Sequence, residues 1–251
     1  TDQRALLLEI VEDFWRTHFF GEASPLLAYT LQCGGSPESF LALLQKLHVS
    51  GGATIIPTFC DEEREALHAM CIAAYAELCR LWQSDGAVVR ELLSTDKGLS
   101  RAADYYRVDK LEPLFAEMDE FVAGGNPFNL FADFQKFATS GIAAGTKPKG
   151  TSPDHPLFAC AEKLLQAVQK RYVALKSELV QFYQSELPKR KRKANLRFFD
   201  DLLSDLADAL QAPERGAAFA QRLRSTYQAA LIDEFQDTDP VQYTIFHTMY
   251  A

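Results

Sequence analysis

"ACAEKLLQAVQKRYVALKSELVQF", residues 159–182, decides the fold. Ala161, Leu165, Val168, Tyr172, Leu175, Leu179 and Phe182 recur at steps of four and three. That spacing places side chains on one stripe of an α-helix. The pattern predicts a helix of about thirty residues, roughly 45 Å long at 1.5 Å per residue. A seam this narrow packs against a second long helix. The expected fold is mainly α, with an arm of long antiparallel helices.

Outward from this stretch the helical period persists. Residues 2–19 put Leu6, Leu7, Ile10, Val11, Phe14, Trp15 and His18 on one broad face. Trp15, with Phe14, Phe19 and Phe20, reads as core rather than as a platform for stacked bases. "SPESFLALLQKL" (36–47) opens with a Ser cap, Pro in the first turn and an early Glu, a good helix start. "DEEREALHAMCIAAYAELCRLW" (61–82) opens on acids, as the helix dipole favours, and repeats Leu67, Met70, Cys71, Ala74, Leu78 and Leu81. Residues 137–156, "FATSGIAAGTKPKGTSPDHP", are rich in Gly, Ser, Thr and Pro and read as a long exposed loop. After the long helix come a basic run, "KRKRK" (189–193), and a short helix, "FFDDLLSDLADALQ" (198–211), ending before Pro213. "AAFAQRLRSTY" is a further helix. "QAALI" (228–232) is a short apolar run of the kind that forms a buried parallel strand. One such strand needs partners from elsewhere.

Bulk properties set limits on function. The chain has 251 residues, 47% of them hydrophobic, enough for one large domain or two smaller ones. A net charge of −8 argues against a globally basic nucleic-acid binder but leaves room for a local basic patch. No run of eighteen apolar residues exists, so no membrane partner is expected, and the N-terminus lacks a signal-peptide layout. The five cysteines are scattered and form no CxxC pair, which fits a reducing cytoplasm. Cys71 and Cys79 fall at apolar helix positions and should pack as small hydrophobes. The five histidines share no metal-ligand spacing and read as structural or surface residues. The chain starts at Thr1 and stops inside an apparent helix, so it reads as an excerpt of a larger protein.

"LIDEFQDTDPVQ" (231–242) concentrates Asp233, Glu234, Asp237 and Asp239 just after the strand-like run. Carboxylates at the carboxyl end of a parallel strand lie where open α/β sheets bind ligands. There an acid can hold Mg²⁺ on a nucleotide, and a neighbouring Glu can act as general base. Clustered carboxylates repel one another and favour a cation between them. Helix capping is the competing explanation. Asp239 before Pro240 suits an N-cap with Pro at N1 and is assigned that role.

The string "LIDEFQDTDPVQYTIF" (231–246) resembles motif II, the Walker B segment, of UvrD/Rep-type superfamily 1 helicases. Its closest likeness is to the beta-subunit type of exodeoxyribonuclease V. Asp233, Glu234, Phe235, Gln236, Asp237, Thr238, Asp239, Pro240 and Gln242 match in order. "EDFWRTHFF", "HPLF", the basic run and "FDDLL" agree more loosely. The resemblance implies that residues 1–194 form a helical accessory subdomain of the 1B kind. Residues 195–251 would be a partial RecA-like α/β motor segment. It implies that Asp233 ligates the Mg²⁺ of Mg-ATP, that Glu234 activates the hydrolytic water, and that Gln236 and Asp237 couple the nucleotide site to neighbouring motifs. It also implies an intact parent that unwinds DNA 3′→5′, with an exonuclease and partner subunits, in double-strand break repair and recombination. The family's Leu two places before the Phe of "FDD" is replaced here by Arg197, so Asp200 and Asp201 read as helix caps.

A helicase also needs G-x-x-x-x-G-K-[ST] to cradle phosphate. "GIAAGTKPKG" (141–150) imitates it and fails: Gly141 and Gly145 are one residue too close, and Pro148 stands where a hydroxyl is required. The excerpt alone is therefore expected neither to bind ATP tightly nor to hydrolyse it. Lys189, Arg190, Lys191, Arg192, Lys193 and Arg197 are candidate phosphate contacts for duplex DNA, or else a solvated helix end. Two alternatives differ in class. One is a non-enzymatic helical interaction module whose acids are caps. The other is a self-contained phosphohydrolase, which lacks the second acid or histidine constellation it would need.

Overall fold

Helices carry the fold. The computed structural model describes residues 2–20, 24–49, 57–102 and 105–250. Their α-helices are α1 (Asp2–Phe19), α2 (Leu27–Gln32), α3 (Pro37–Val49), α4 (Asp61–Thr95), α5 (Val108–Gly124), α6 (Thr139–Ala144), α7 (Pro156–Ala194), α8 (Phe199–Gln211), α9 (Gly216–Thr226) and α10 (Pro240–Tyr250). Short 3₁₀ turns occupy Phe134–Phe137 and Phe235–Asp237.

The spine is α7, and its 39 residues exceed the thirty expected. His155 caps its start, where Nδ1 accepts the Leu157 N–H at 3.1 Å, and Pro156 fills the first turn. At the other end the helix continues through Pro188 and the basic run to Asn195, whose φ of 50° ends it. Asn tolerates this left-handed geometry better than most residues. The partner across the seam is α4, and the two run antiparallel. Arg64 meets Gln181, Cys160 donates to the Ala74 carbonyl, and His155 lies beside Asp85, so partner numbers fall along α7 as they rise along α4. By the same test α1 is antiparallel to the C-terminal half of α7, with Asp13 on Arg190 and His18 on Glu178.

The buried face of α7 is wider than a two-helix seam. Besides Ala161, Val168, Tyr172, Leu175 and Leu179 it hides Leu157, Phe158, Leu164, Ala167, Val180, Tyr183 and Leu187. The cause is that α1, α4, α6 and the first 3₁₀ turn all pack on it. Full burial of such side chains contributes about 1.5–3 kcal/mol each. On α1, Leu7, Ile10, Val11 and Phe14 are buried and Trp15 packs edge-on to Phe40. Phe20 is 76% exposed and Met70 54% exposed, so neither is the core residue expected. Cys71 is buried, and burial pushes its thiol up to about 11, so it packs as an apolar group.

Residues 137–156 are only in part the long exposed loop expected: 147–155 is irregular and mostly exposed, whereas the stretch before it is packed. Phe137, Ala138 and Ile142 are buried, and α6 occupies Thr139–Ala144 near its start. Its glycines are there for contact. A Cβ on Gly141 would lie 1.9 Å from the Gln135 carbonyl oxygen, and one on Gly145 would meet the Tyr106 ring at 2.3 Å. Glu162 on α7 caps α6 by accepting from both the N–H and the hydroxyl of Ser140.

A second, smaller core joins Ala207, Leu210, Ala220, Ile245 and Met249 of α8, α9 and α10, with Leu203, Leu206, Phe219, Leu223 and Val241 around it. The large core runs from Leu6 to Phe198. The expected strand at 228–232 does not form. These residues have no regular structure and are exposed, Leu231 completely. A strand is stable only when its N–H and C=O groups have neighbours to pair with, and none is present among the described residues. The one β-bridge there, Leu99 to Thr146, lies elsewhere. No described helix is long and apolar enough to cross a membrane.

Candidate functional site

The acid-rich turn links the end of α9 to α10. From Tyr227 to Ile232 the chain is irregular, and Tyr250 returns from α10 to donate its hydroxyl to the Tyr227 carbonyl at 2.9 Å. Asp233 Oδ1 accepts the N–H of Glu234 at 2.9 Å, and Oδ2 has no hydrogen bond among the described residues. Glu234 has φ 50° and ψ 46°, in the left-handed region. A Glu there pays a steric cost that Asn or Gly avoids. Such outliers persist where the surroundings over-determine them, and they concentrate at working sites. The Glu234 carboxylate accepts from the Gln236 amide, and the Glu234 carbonyl accepts the Asp237 N–H at 2.8 Å, closing the 3₁₀ turn.

Asp239 has a different task. Its Oδ1 accepts from the N–H groups of Val241 and Gln242 at 2.7 and 2.9 Å, capping α10 with Pro240 at the first position. The N-cap expectation holds. Asp233, Glu234, Asp237 and Asp239 are all exposed. No set of three or more His, Cys, Asp or Glu side chains converges on a metal-sized site among the described residues. The expected crowding of carboxylates around a cation is thus relieved by solvent and by spreading along the turn. The donor set fits Mg²⁺ carried on a triphosphate, where one protein carboxylate suffices. It does not fit a dedicated cage for a free ion.

The phosphate-loop imitation is structural. Gly145 tops α6, Lys147 donates its N–H to the Gly98 carbonyl at 2.8 Å, and its ammonium caps the Lys97 carbonyl. Gly98 and Gly150 touch backbone to backbone, where a Cβ on Gly150 would lie 2.7 Å from the Gly98 oxygen.

The basic run sits on the last turns of α7, where the helix dipole favours cations. Most of its charges face carboxylates. Lys189 reaches Glu186 at 2.8 Å, Arg190 reaches Asp13 at 2.6 Å, and Lys191 reaches Asp201 at 2.7 Å. Arg197 pairs with Asp205. The Arg190 guanidinium, with Arg16 beside it, holds the Asp13 carboxyl below its ordinary range. Arg192 and Lys193 have no carboxylate within ion-pair distance among the described residues. Asp201 is a cap as expected, accepting the Phe198 N–H at 2.7 Å. The side chain of Asp200 lies outside the described residues, as does that of His48.

Two features escaped the sequence reading. Glu178 gathers His18, Arg171 and Arg64 in the interior between α1, α4 and α7. The spacing of Arg171 and Glu178, two helical turns on one face, was the available signal. Arg101 donates to the carbonyls of Leu93, Ser94, Asp96 and Tyr106, closing the end of α4. No local pattern announces a contact of that kind.

Comparison with known proteins places this turn. The UvrD/REP helicase N-terminal domain matches over residues 135–251, which takes in α7 to α10 and the whole acid-rich turn. Residues 135–251, just under half of the chain, carry the likeness to that helicase family. The rest of the chain extends the likeness. The RecBCD enzyme subunit RecB of Escherichia coli is 27% identical over 256 residues, covering 99% of this chain and 21% of that protein. The RecB subunit of Haemophilus influenzae is 25% identical over 291 residues, covering 99% and 23%. That of Mycolicibacterium smegmatis is 42% identical over a shorter 67 residues, covering 27% of this chain and 6% of that protein. The chain spans about a fifth of the length of the relatives that it matches end to end.

Proposed function

We propose that this chain is the part of an ATP-dependent 3′→5′ DNA helicase subunit, of the RecB type, that joins a helical accessory arm to the motor. Residues 1–194 are the arm of the 1B kind, and residues 195–251 are the motor segment with the Walker B turn. The observation that carries the reading is the turn itself. Asp233 keeps one oxygen without a hydrogen bond among the described residues, Glu234 is held in a left-handed conformation beside it, and the cap falls to Asp239 instead. Asp233 is the residue to hold the Mg²⁺ of Mg-ATP, and the metal supplies charge neutralisation at the β- and γ-phosphates. Glu234 orients and deprotonates the attacking water. Gln236, bonded to Glu234, and Asp237 relay the state of that site to neighbouring motor segments.

The intact parent would work in the cytoplasm with other subunits of a helicase–nuclease complex, on duplex and single-stranded DNA, in double-strand break repair and recombination. Its exonuclease centre is no part of the residues described. The isolated chain should be inactive, because no sequence in it cradles phosphate. In the intact parent, Glu234→Gln should lower ATP turnover by about 10²-fold or more, as loss of a general base does, while DNA affinity stays within about twofold. Unchanged turnover would reject the assignment. One observation favours a second reading, a helical interaction module without catalysis: every acid of the turn already makes a local contact or is solvated. Mg²⁺-dependent nucleotide binding by the intact parent, with a raised Mg²⁺ requirement in Asp233→Asn, separates the two.

A further inference from the structure

The cations at the end of α7 point three ways. Lys189 stays on its own helix with Glu186, and Arg190 turns to Asp13 on α1. Lys191 turns to α8, with its ammonium 2.7 and 2.8 Å from the two oxygens of Asp201 and 3.9 Å from the centre of the Phe198 ring. Its side chain is only 13% exposed. Asp201 also accepts the Phe198 N–H, so it closes the first turn of α8 while holding Lys191. Between the two lies Asn195, whose left-handed backbone turns the chain from the large core towards the small one. One ammonium therefore fastens the last turn of α7 to the first turn of α8. Around it Lys191, Arg192, Arg197, Asp201 and Asp205 line an open cleft of about 310 Å³.

We propose that Lys191 and Asp201 form a latch between the long helix and the α8–α10 unit, and that a nucleic-acid phosphate opens it by competing for Lys191. The proposal rests on the duplex-contact reading given above. Lys189 and Arg192, on the outer side of the same turns, are the residues that would bring a phosphodiester to the cleft. A phosphate oxygen is as good a partner for an ammonium as a carboxylate oxygen. Counterion release adds a favourable term that the internal pair lacks. Once Lys191 turns to the phosphate, the ion pair between α7 and α8 is lost, and the remaining contacts of α8, chain connectivity and apolar packing hold it to α7. Engagement of duplex would thus loosen the motor segment from the arm at the junction between them.

The test is amide hydrogen exchange across residues 199–211 in the intact parent, with and without a blunt duplex oligonucleotide, and with duplex binding followed by fluorescence anisotropy in the same samples. Duplex should speed exchange in α8 about fivefold to tenfold, the factor expected for loss of a shielded charge-assisted hydrogen bond. Lys191→Gln should produce that rate without duplex, with no further change when duplex is added, while α4 amides stay protected. Asp201→Asn, which keeps an amide oxygen for the Phe198 N–H, should reproduce the effect, and Lys191→Arg should restore protection. Duplex that binds and leaves α8 exchange unchanged overturns the latch. So does full α8 protection in Lys191→Gln and Asp201→Asn. Absence of duplex binding overturns the duplex-contact reading itself, and the competition with it.

Discussion

The Oε2 oxygen of Glu178 lies 3.2 Å from Nε2 of His18, joining the middle of α7 to the end of α1. The other oxygen is 2.8 Å from Arg171 and 3.6 Å from Arg64. Burial pushes the Glu178 carboxyl up, but the His18 hydrogen bond and the charges of Arg171, His18 and Arg64 outweigh it and hold the group below its ordinary value. A carboxyl depressed in the folded state adds stability above its unfolded pKa and loses it as pH falls through the folded one. Melting temperature should therefore be flat with respect to this group above about pH 5 and fall below about pH 4. Glu178→Gln should flatten that acid limb. It should also cost about 3 kcal/mol at neutral pH, because it leaves two arginines facing each other in a shielded site. Denaturant melts across pH measure both.

Arg101 should matter more than its half-buried location suggests. It satisfies the Leu93 and Ser94 carbonyls at the end of α4, together with those of Asp96 and Tyr106. Helix ends leave such carbonyls unpaired. Arg101→Ala should destabilise by about 2 kcal/mol. Arg101→Lys should recover less than half of that, because one ammonium does not span the four acceptors that the guanidinium fork reaches. Urea unfolding gives both numbers.

Two glycines should respond with opposite signs. Gly141→Ala forces a methyl group to 1.9 Å from the Gln135 oxygen and should cost about 2 kcal/mol or more. Gly124, in the last turn of α5, has nothing within 4 Å of the added carbon. Gly124→Ala should stabilise by about 0.5 kcal/mol, through helix propensity and a less free unfolded chain. Equal effects at the two sites would mean that the packing of the 134–145 segment on α7 is not as described.

The readability of this sequence followed the range of the forces involved. The periodic stripe of α7 and the caps at Ser36, His155 and Asp239 are local, and Ser36 and Asp239 were legible from a few residues each. Ser36 accepts the Ser39 N–H as its position implied. The first part of the segment at 137–156 was misread because its Gly and Ser content signals a loop, whereas burial of Phe137 and Ile142 under α7 settles its structure; 147–155 is the exposed loop expected. Met70 has the right period but faces solvent, since period alone does not say which neighbours arrive, and Phe20, read as core for its aromatic ring, is exposed too. The run at 228–232 has strand composition without the neighbours that make a strand. At the site, the identity of the acids was legible but the division of labour was not. The left-handed Glu234 and the cation pairs of Arg190, Lys191 and Arg197 depend on contacts that no short motif encodes.

The caps and the acid pair should separate cleanly. Asp239→Ala removes two hydrogen bonds at the start of α10 and should cost about 1 kcal/mol of stability. Asp233→Asn keeps an oxygen for the Glu234 N–H and should leave the melting temperature within about 1 °C, since exposed substitutions away from packing change little. Differential scanning calorimetry on the two variants reads the contrast.

The central claim is that Asp233 serves a magnesium–nucleotide while its neighbour Asp239 serves the helix. The most direct measurement is a Mg²⁺ titration of ATP binding to the intact parent, comparing Asp233→Asn with Asp239→Asn. The account predicts that Asp233→Asn raises the Mg²⁺ needed for half-maximal binding about tenfold or more, the weight of one lost charged ligand, and that Asp239→Asn leaves it unchanged. A Mg²⁺ requirement in Asp233→Asn equal to that of the unaltered protein would contradict it.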